Sequence, residues 1–96
     1  MTAFVEDYLG TVTSNPAASW QQLTPGFQDA SGGFGAYRGF WGGIESATPS
    51  GIRADPQAMT VTYAVSYDEK GGGTANDNVT LELVQKDGKY LIAGEQ

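Results

Sequence analysis

Large apolar rings are concentrated in one short segment of the chain, and this segment constrains the fold more than any other. Trp20, Leu23 and Phe27 lead into it. The aromatic block itself consists of Phe34, Tyr37, Phe40, Trp41 and Ile44. Its spacing places these side chains on one stripe of an α-helix, with Phe40 at the margin. Such a stripe needs a broad apolar surface to cover, and a β-sheet is the natural one.

The second half of the chain supplies the strands. From Met59 to Tyr67, apolar and polar residues alternate with a strict period of two, which predicts a strand with one buried face. A Gly71–Gly73 turn leads to a second alternating run, Asn78–Gln85. Asp87-Gly88 is a strong hairpin signal and predicts a final strand over Lys89–Ala93. These segments together indicate an antiparallel meander.

The first half is predicted to be helical. Thr2 is expected to cap the first helix, and Asn15-Pro16 and Thr24-Pro25 have the capping residue and proline that begin a helix. An irregular edge strand is predicted over Ser50–Ala54, between prolines. The predicted helices cover residues 3–13, Pro16–Leu23, Pro25–Ala30 and Phe34–Ile44.

Helices followed by a meander predict an α+β domain. The N-terminal helices would pack on one face of a curved antiparallel sheet of about four strands. No linker or repeat divides the 96 residues, and a chain of this length can bury a core without staples. Residues 1–96 are therefore predicted to form a single domain.

Composition excludes several classes of function. The chain has no cysteine and no histidine, which excludes the usual zinc sites, thiol nucleophiles and imidazole bases. Eleven acidic and five basic residues give a net charge of −6, which repels nucleic acid and anionic membrane surfaces. No apolar run is long enough to span a membrane, and no signal-peptide pattern is present. We therefore expect no metal, no cofactor and no nucleic-acid partner.

Several short motifs support a narrower identification. They are Phe4-x-x-x-Tyr8, Trp20-x-x-Leu23-Thr24-Pro25-x-Phe27-Gln28, Ser31-Gly32-Gly33-Phe34, Tyr37-x-x-Phe40-Trp41 and Asp87-Gly88-Lys89-Tyr90-Leu91-Ile92. The order of elements resembles the nuclear transport factor 2-like fold, a cystatin-like α+β cone. The motifs resemble small domains that follow the transmembrane segment of actinobacterial serine/threonine protein kinases and related surface proteins.

This resemblance implies an extracytoplasmic sensor or interaction module, without catalytic activity of its own, in a larger membrane-anchored protein. Its partner would be a small ligand or a protein, and it would meet the membrane only through the parent protein. The candidate residues for lining a ligand pocket in the cone are all aromatic: Tyr8, Trp20, Tyr37, Trp41, Tyr63 and Tyr67. The alternative is that these rings simply fill the core.

An enzyme is the alternative function. The resemblance extends to ketosteroid isomerases and polyketide cyclases, which use a carboxylate in the cone as a base. The predicted inward series of the Met59–Tyr67 strand has no carboxylate, and Asp29, Asp68, Glu69 and Glu82 are expected at the surface. Glu45 and Asp77 remain as candidate bases.

The sequence contains two further candidate sites. Asp68, Glu69, Asn76 and Asp77 surround the triglycine turn, but their spacing matches no calcium loop, so a charged hairpin tip is the favoured interpretation. The outer sheet face is nearly uncharged and is predicted to form a homodimer. Its residues are Thr60, Thr62, Ala64, Ser66, Thr80 and Glu82.

Overall fold

The computed structural model describes all 96 residues and shows four helices followed by four strands. The helices are α1 (Thr2–Val12), α2 (Pro16–Trp20), α3 (Pro25–Ala30) and α4 (Phe34–Gly42). The strands are β1 (Ile44–Asp55), β2 (Thr60–Glu69), β3 (Thr74–Lys86) and β4 (Lys89–Glu95). The strands form one open antiparallel sheet in the order β1-β2-β3-β4. The predicted α+β class is confirmed.

Two of the three predicted helix caps are confirmed. The Asn15 side chain accepts a hydrogen bond from the backbone N–H of Ala18 at 3.2 Å, and Thr24 Oγ1 accepts one from Phe27 at 3.2 Å. The prediction for Thr2 was wrong, because Thr2 is already helical and Met1 is the capping residue. The Met1 carbonyl accepts the Val5 N–H at 3.3 Å, which draws the helix one residue further toward the N-terminus.

Two helices are shorter than predicted because the chain turns into the sheet. α2 ends at Trp20, and Leu23 instead forms a parallel bridge with Ile92 of β4. The predicted α4 extended to Ile44, but that residue begins β1 and is only 6 % exposed. α4 ends at Gly42, and Gly43 is its C-terminal cap, because glycine is a poor helix former. Ile44 thus joins the core from a strand.

Each strand extends beyond its predicted C-terminal end, although β2 begins at Thr60 and not at Met59 as predicted. The edge strand predicted over Ser50–Ala54 is the 12-residue β1. Pro49 lies within it, which an edge strand tolerates because one row of its backbone groups has no partner. Register shifts on both sides of Pro49 make β1 irregular, as expected from its composition.

The period-two pattern correctly predicted the buried face of β2. Val61, Tyr63 and Val65 are at most 4 % exposed, while Thr62 between them is exposed. Val79 and Leu81 of β3 lie opposite Tyr63 and Val61 and complete this face. Since α1 and α4 contribute most of the other buried side chains, the helices cover this inner face and one hydrophobic core results.

A bulge in β4 changes which residues reach the inner face. Leu83 pairs with Ile92, but Leu81 pairs with Glu95, so β4 has one extra residue between these pairs. Directly opposed residues of an antiparallel pair point to the same side of the sheet. Leu81 is an inner-face residue, and Glu95 therefore points inward beside it.

The helices are short relative to a bilayer. None of the four is both long and apolar enough to cross a membrane.

Candidate functional site

A cavity of about 800 Å³ lies between the helices and the inner face of the sheet. Its wall is built from α1, α3, α4 and all four strands, and most of the residues that line it are apolar. The volume is within the range of roughly 300–1,000 Å³ that small-molecule sites occupy. The cavity is open to solvent, since several of its lining residues, such as Phe40 and Asp77, are exposed.

Five of the six predicted lining residues meet at this cavity: Tyr8, Tyr37, Trp41, Tyr63 and Tyr67. Trp20 does not line it. Its ring packs instead against Phe34 and Tyr37, with centroids 5.4 and 5.0 Å apart. Trp20 belongs to α2, and no residue of α2 lines the cavity. The aromatic character of Trp20 was therefore not enough to predict where its side chain lies.

The rings along one wall contact each other edge to face. The Trp41 ring centroid lies 6.5 Å from that of Tyr8 and 5.8 Å from that of Tyr67. Phe40 packs on Trp41 at 5.0 Å and also lines the cavity, although it is 55 % exposed. Phe40 therefore stands at the mouth, which agrees with its predicted position at the margin of the helical stripe.

Three buried hydroxyl groups form a hydrogen-bonded chain, and two of them belong to residues that line the cavity, Tyr8 and Tyr37. The Ser19 hydroxyl donates to the Pro16 carbonyl at 3.1 Å and lies 2.7 Å from the Tyr37 hydroxyl, which lies 2.8 Å from that of Tyr8. Because each hydroxyl has one proton and a carbonyl only accepts, Tyr37 donates to Ser19 and Tyr8 donates to Tyr37. The chain joins α1, α2 and α4.

Two other hydroxyls are available to a ligand. Tyr63 and Tyr67 line the cavity, and neither makes a hydrogen bond within the chain. No buried polar side-chain atom lacks a partner, so both hydroxyls are reached by solvent. They can donate or accept a hydrogen bond at the surface of the cavity.

Three carboxylate residues line the cavity, and because all three are exposed, they lie where the cavity opens to solvent. Asp77, one of the two predicted candidate bases, lines it from β3 directly opposite Val65, whereas Glu45 does not line it. Glu69 also lines the cavity, although it was expected only at the surface; it continues the inward phase of β2 beyond Tyr67.

Glu95 is the residue that sequence reasoning missed. It lines the cavity because of the bulge in β4, and simple alternation from Ile92 would have placed Gly94 inward instead. Partial burial raises the pKa of the Glu95 carboxyl, and the nearby charge of Asp77 raises this pKa further. Three acidic residues and no lysine or arginine line the cavity, so the electrostatic potential inside it is negative.

The hairpin tip has no metal cluster. No group of three or more acidic side chains is arranged to hold a metal ion. Asp68 instead accepts hydrogen bonds from Ser46 at 2.9 Å and from Thr74 at 3.2 Å, which ties the tip to β1 and β3. These contacts favour the charged-tip interpretation over a calcium loop.

Comparison of the chain with protein-family models, curated proteins and solved structures finds no match. The fold and the cavity define a small α+β domain whose cavity has aromatic walls and carboxylates near its opening.

We predict that Tyr37→Phe lowers the free energy of unfolding by about 1–3 kcal/mol, because it leaves the buried Tyr8 hydroxyl without an acceptor. Denaturant titration followed by circular dichroism measures this loss. Tyr90→Phe is the matched control, since Tyr90 is half-buried and outside the hydroxyl chain. Equal losses in the two variants would contradict a structural role for the chain.

We also predict a loss of stability at alkaline pH. Burial raises the pKa of Tyr8 and Tyr63 above the ordinary value, so above about pH 10 the unfolded chain loses protons that the folded chain keeps. The unfolding free energy then falls as pH rises, by up to about 1.4 kcal/mol per pH unit for each tyrosine.

Denaturant titrations at a series of pH values, with tyrosinate absorbance recorded in parallel, measure this slope. Tyr63→Phe is expected to make the slope shallower because one titrating group is removed. Stability that stays level from about pH 9 to 12 would refute the prediction.

Proposed function

We propose that this chain is a non-catalytic binding module of the nuclear transport factor 2-like class that holds a small hydrophobic ligand in its cavity. The observation that carries the proposal is the cavity of about 800 Å³ with aromatic walls between helices and sheet. A cleft of this size with mostly apolar, aromatic walls and a few polar groups is typical of small-molecule sites, which supports an occupant.

The order of elements supports the class. Four helices followed by an open antiparallel meander are compatible with the cone of that fold. The motif resemblance described above supports a place in a larger membrane-anchored protein, on the extracytoplasmic side, such as a serine/threonine kinase. In that setting, ligand binding between the helices and the sheet would be the sensing event.

An enzyme of isomerase or cyclase type is the second candidate. It is favoured by one observation, the presence of Asp77 and Glu95 at a cavity that also presents the free hydroxyl of Tyr63. A carboxylate base and a hydroxyl donor are the groups that enolisation requires. Turnover of an enolisable ketone that disappears in Asp77→Asn would favour the enzyme over the binding module.

We predict that Ala75→Phe weakens ligand binding about tenfold or more, because the new ring would occupy the mouth of the cavity opposite Tyr67. Nile red, a neutral apolar dye, is the probe, and its fluorescence increases on transfer from water into the cavity. Asn78→Phe is the control, since Asn78 lies on the same strand opposite Ala64 and does not line the cavity. Absence of dye binding, or equal binding by both variants, would refute the proposal.

The outer sheet face remains the proposed homodimer surface. Thr62 and Thr80 are neighbours on it, with hydroxyls 3.0 Å apart. The face is more charged than the sequence predicted, because Arg53 of β1 lies opposite Thr62, and both Asp55 of β1 and Glu82 of β3 lie opposite Thr60. We predict a dimer in sedimentation equilibrium that Thr62→Lys abolishes, because two lysines would oppose each other near the centre of the face. Gln21→Lys, an exposed change in the helical layer, is the control. A wild-type chain that stays monomeric at high concentration would refute the dimer.

A further inference from the structure

The cavity combines aromatic walls with several carboxylates. Its deep wall is made of aromatic faces and edges, including those of Tyr8, Trp41 and Tyr67. Its open end has carboxylates from two neighbouring strands, Asp77 and Glu95, together with Glu69 from β2. No basic side chain lines any part of it.

These features are complementary to one ligand chemistry. Aromatic faces attract organic cations through the negative charge of their π-systems, and ammonium ligands are commonly held in aromatic cages. Carboxylates attract the same charge and repel anions. We infer that the ligand of the cavity is a hydrophobic organic cation, a tertiary or quaternary amine, with its apolar part against the rings and its charge near Asp77 and Glu95.

The position of the two acids supports this assignment. Apart from Glu69, the other inner-face positions of β2 and β3 near the helices are occupied by apolar side chains or tyrosines, among them Val65 and Tyr63. Asp77 lies opposite Val65 on that face, and the β4 bulge turns Glu95 toward it as well. Two like charges directed toward one partly apolar space repel each other, and a bound cation would relieve that repulsion.

The overall charge of −6 does not explain the arrangement. Acidic residues that only increase solubility can lie on the outer face of the sheet, and Glu82 is an example. It alternates with Leu81 and Leu83 on β3 and is exposed on the other side of the sheet. A control that removes two negative charges outside the cavity is available on α1, where Glu6 and Asp7 are exposed and do not line the cavity.

This inference depends on the proposed binding function, and the test separates the two. The cationic probe is benzyltrimethylammonium, and the neutral probe is neopentylbenzene, in which a carbon replaces the nitrogen. Cation binding is measured directly by calorimetry, and both probes are also tested for displacement of Nile red. The double variant is Asp77→Asn with Glu95→Gln, and the control is Glu6→Gln with Asp7→Asn, which changes the net charge by the same amount; each is checked for folding by circular dichroism.

The double variant is expected to bind the cation about tenfold or more weakly than the wild type, with unchanged affinity for neopentylbenzene and Nile red. The Glu6→Gln/Asp7→Asn control is expected to bind the cation as the wild type does. Three results would overturn the inference: no cation binding by the wild type, no loss in the double variant, or an equal loss in the Glu6→Gln/Asp7→Asn control. Nile red binding with any of these would leave the proposed cavity function standing and reject only the ligand class.

Discussion

The hydrogen-bond chain from Tyr8 through Tyr37 to Ser19 is the constraint on which the helical layer depends. It lies among apolar side chains, and Ser19 itself has no exposed surface. An unpaired hydroxyl in such a place is unfavourable, so α1, α2 and α4 must be positioned to satisfy all three groups together. Hydrophobic contact alone would tolerate sliding of these short helices over the sheet. The hydroxyl chain selects one arrangement, and that arrangement fixes the wall of the cavity.

The cavity lies where the aromatic side chains of the helices meet the inner face of the sheet. Aromatic side chains are large and rigid, and in this core they contact each other edge to face. Such contacts leave space that flexible aliphatic side chains would have filled. Trp41 and Tyr67 illustrate this, since their rings contact each other while both still face the cavity. The same residues therefore stabilise the domain and form its binding surface. A tighter core would be more stable and would have no room for a ligand.

The parts of the fold that follow from local pattern were predictable from sequence. The alternation along β2 gave its buried face, and the capping side chains of Asn15 and Thr24 gave the starts of two helices. Features that depend on pairing between distant segments were not predictable. The length of β1 around Pro49 is determined by its partner β2, and the inward position of Glu95 is determined by a bulge against β3. Five cavity residues were therefore identified from ring type and spacing, while the acid at its mouth was not.

The bridge between Leu23 and Ile92 has a kinetic consequence. Backbone hydrogen bonds join the segment Gln22–Thr24 to β4, so the loop after α2 covers the free edge of the last strand. This contact closes a long loop of chain. The conformational entropy of the loop is lost when the two segments meet, before further contacts can stabilise the fold. During synthesis, the four helices would leave the ribosome before their docking partner exists. The domain is thus expected to fold in one step after the last strand has emerged, rather than helix by helix.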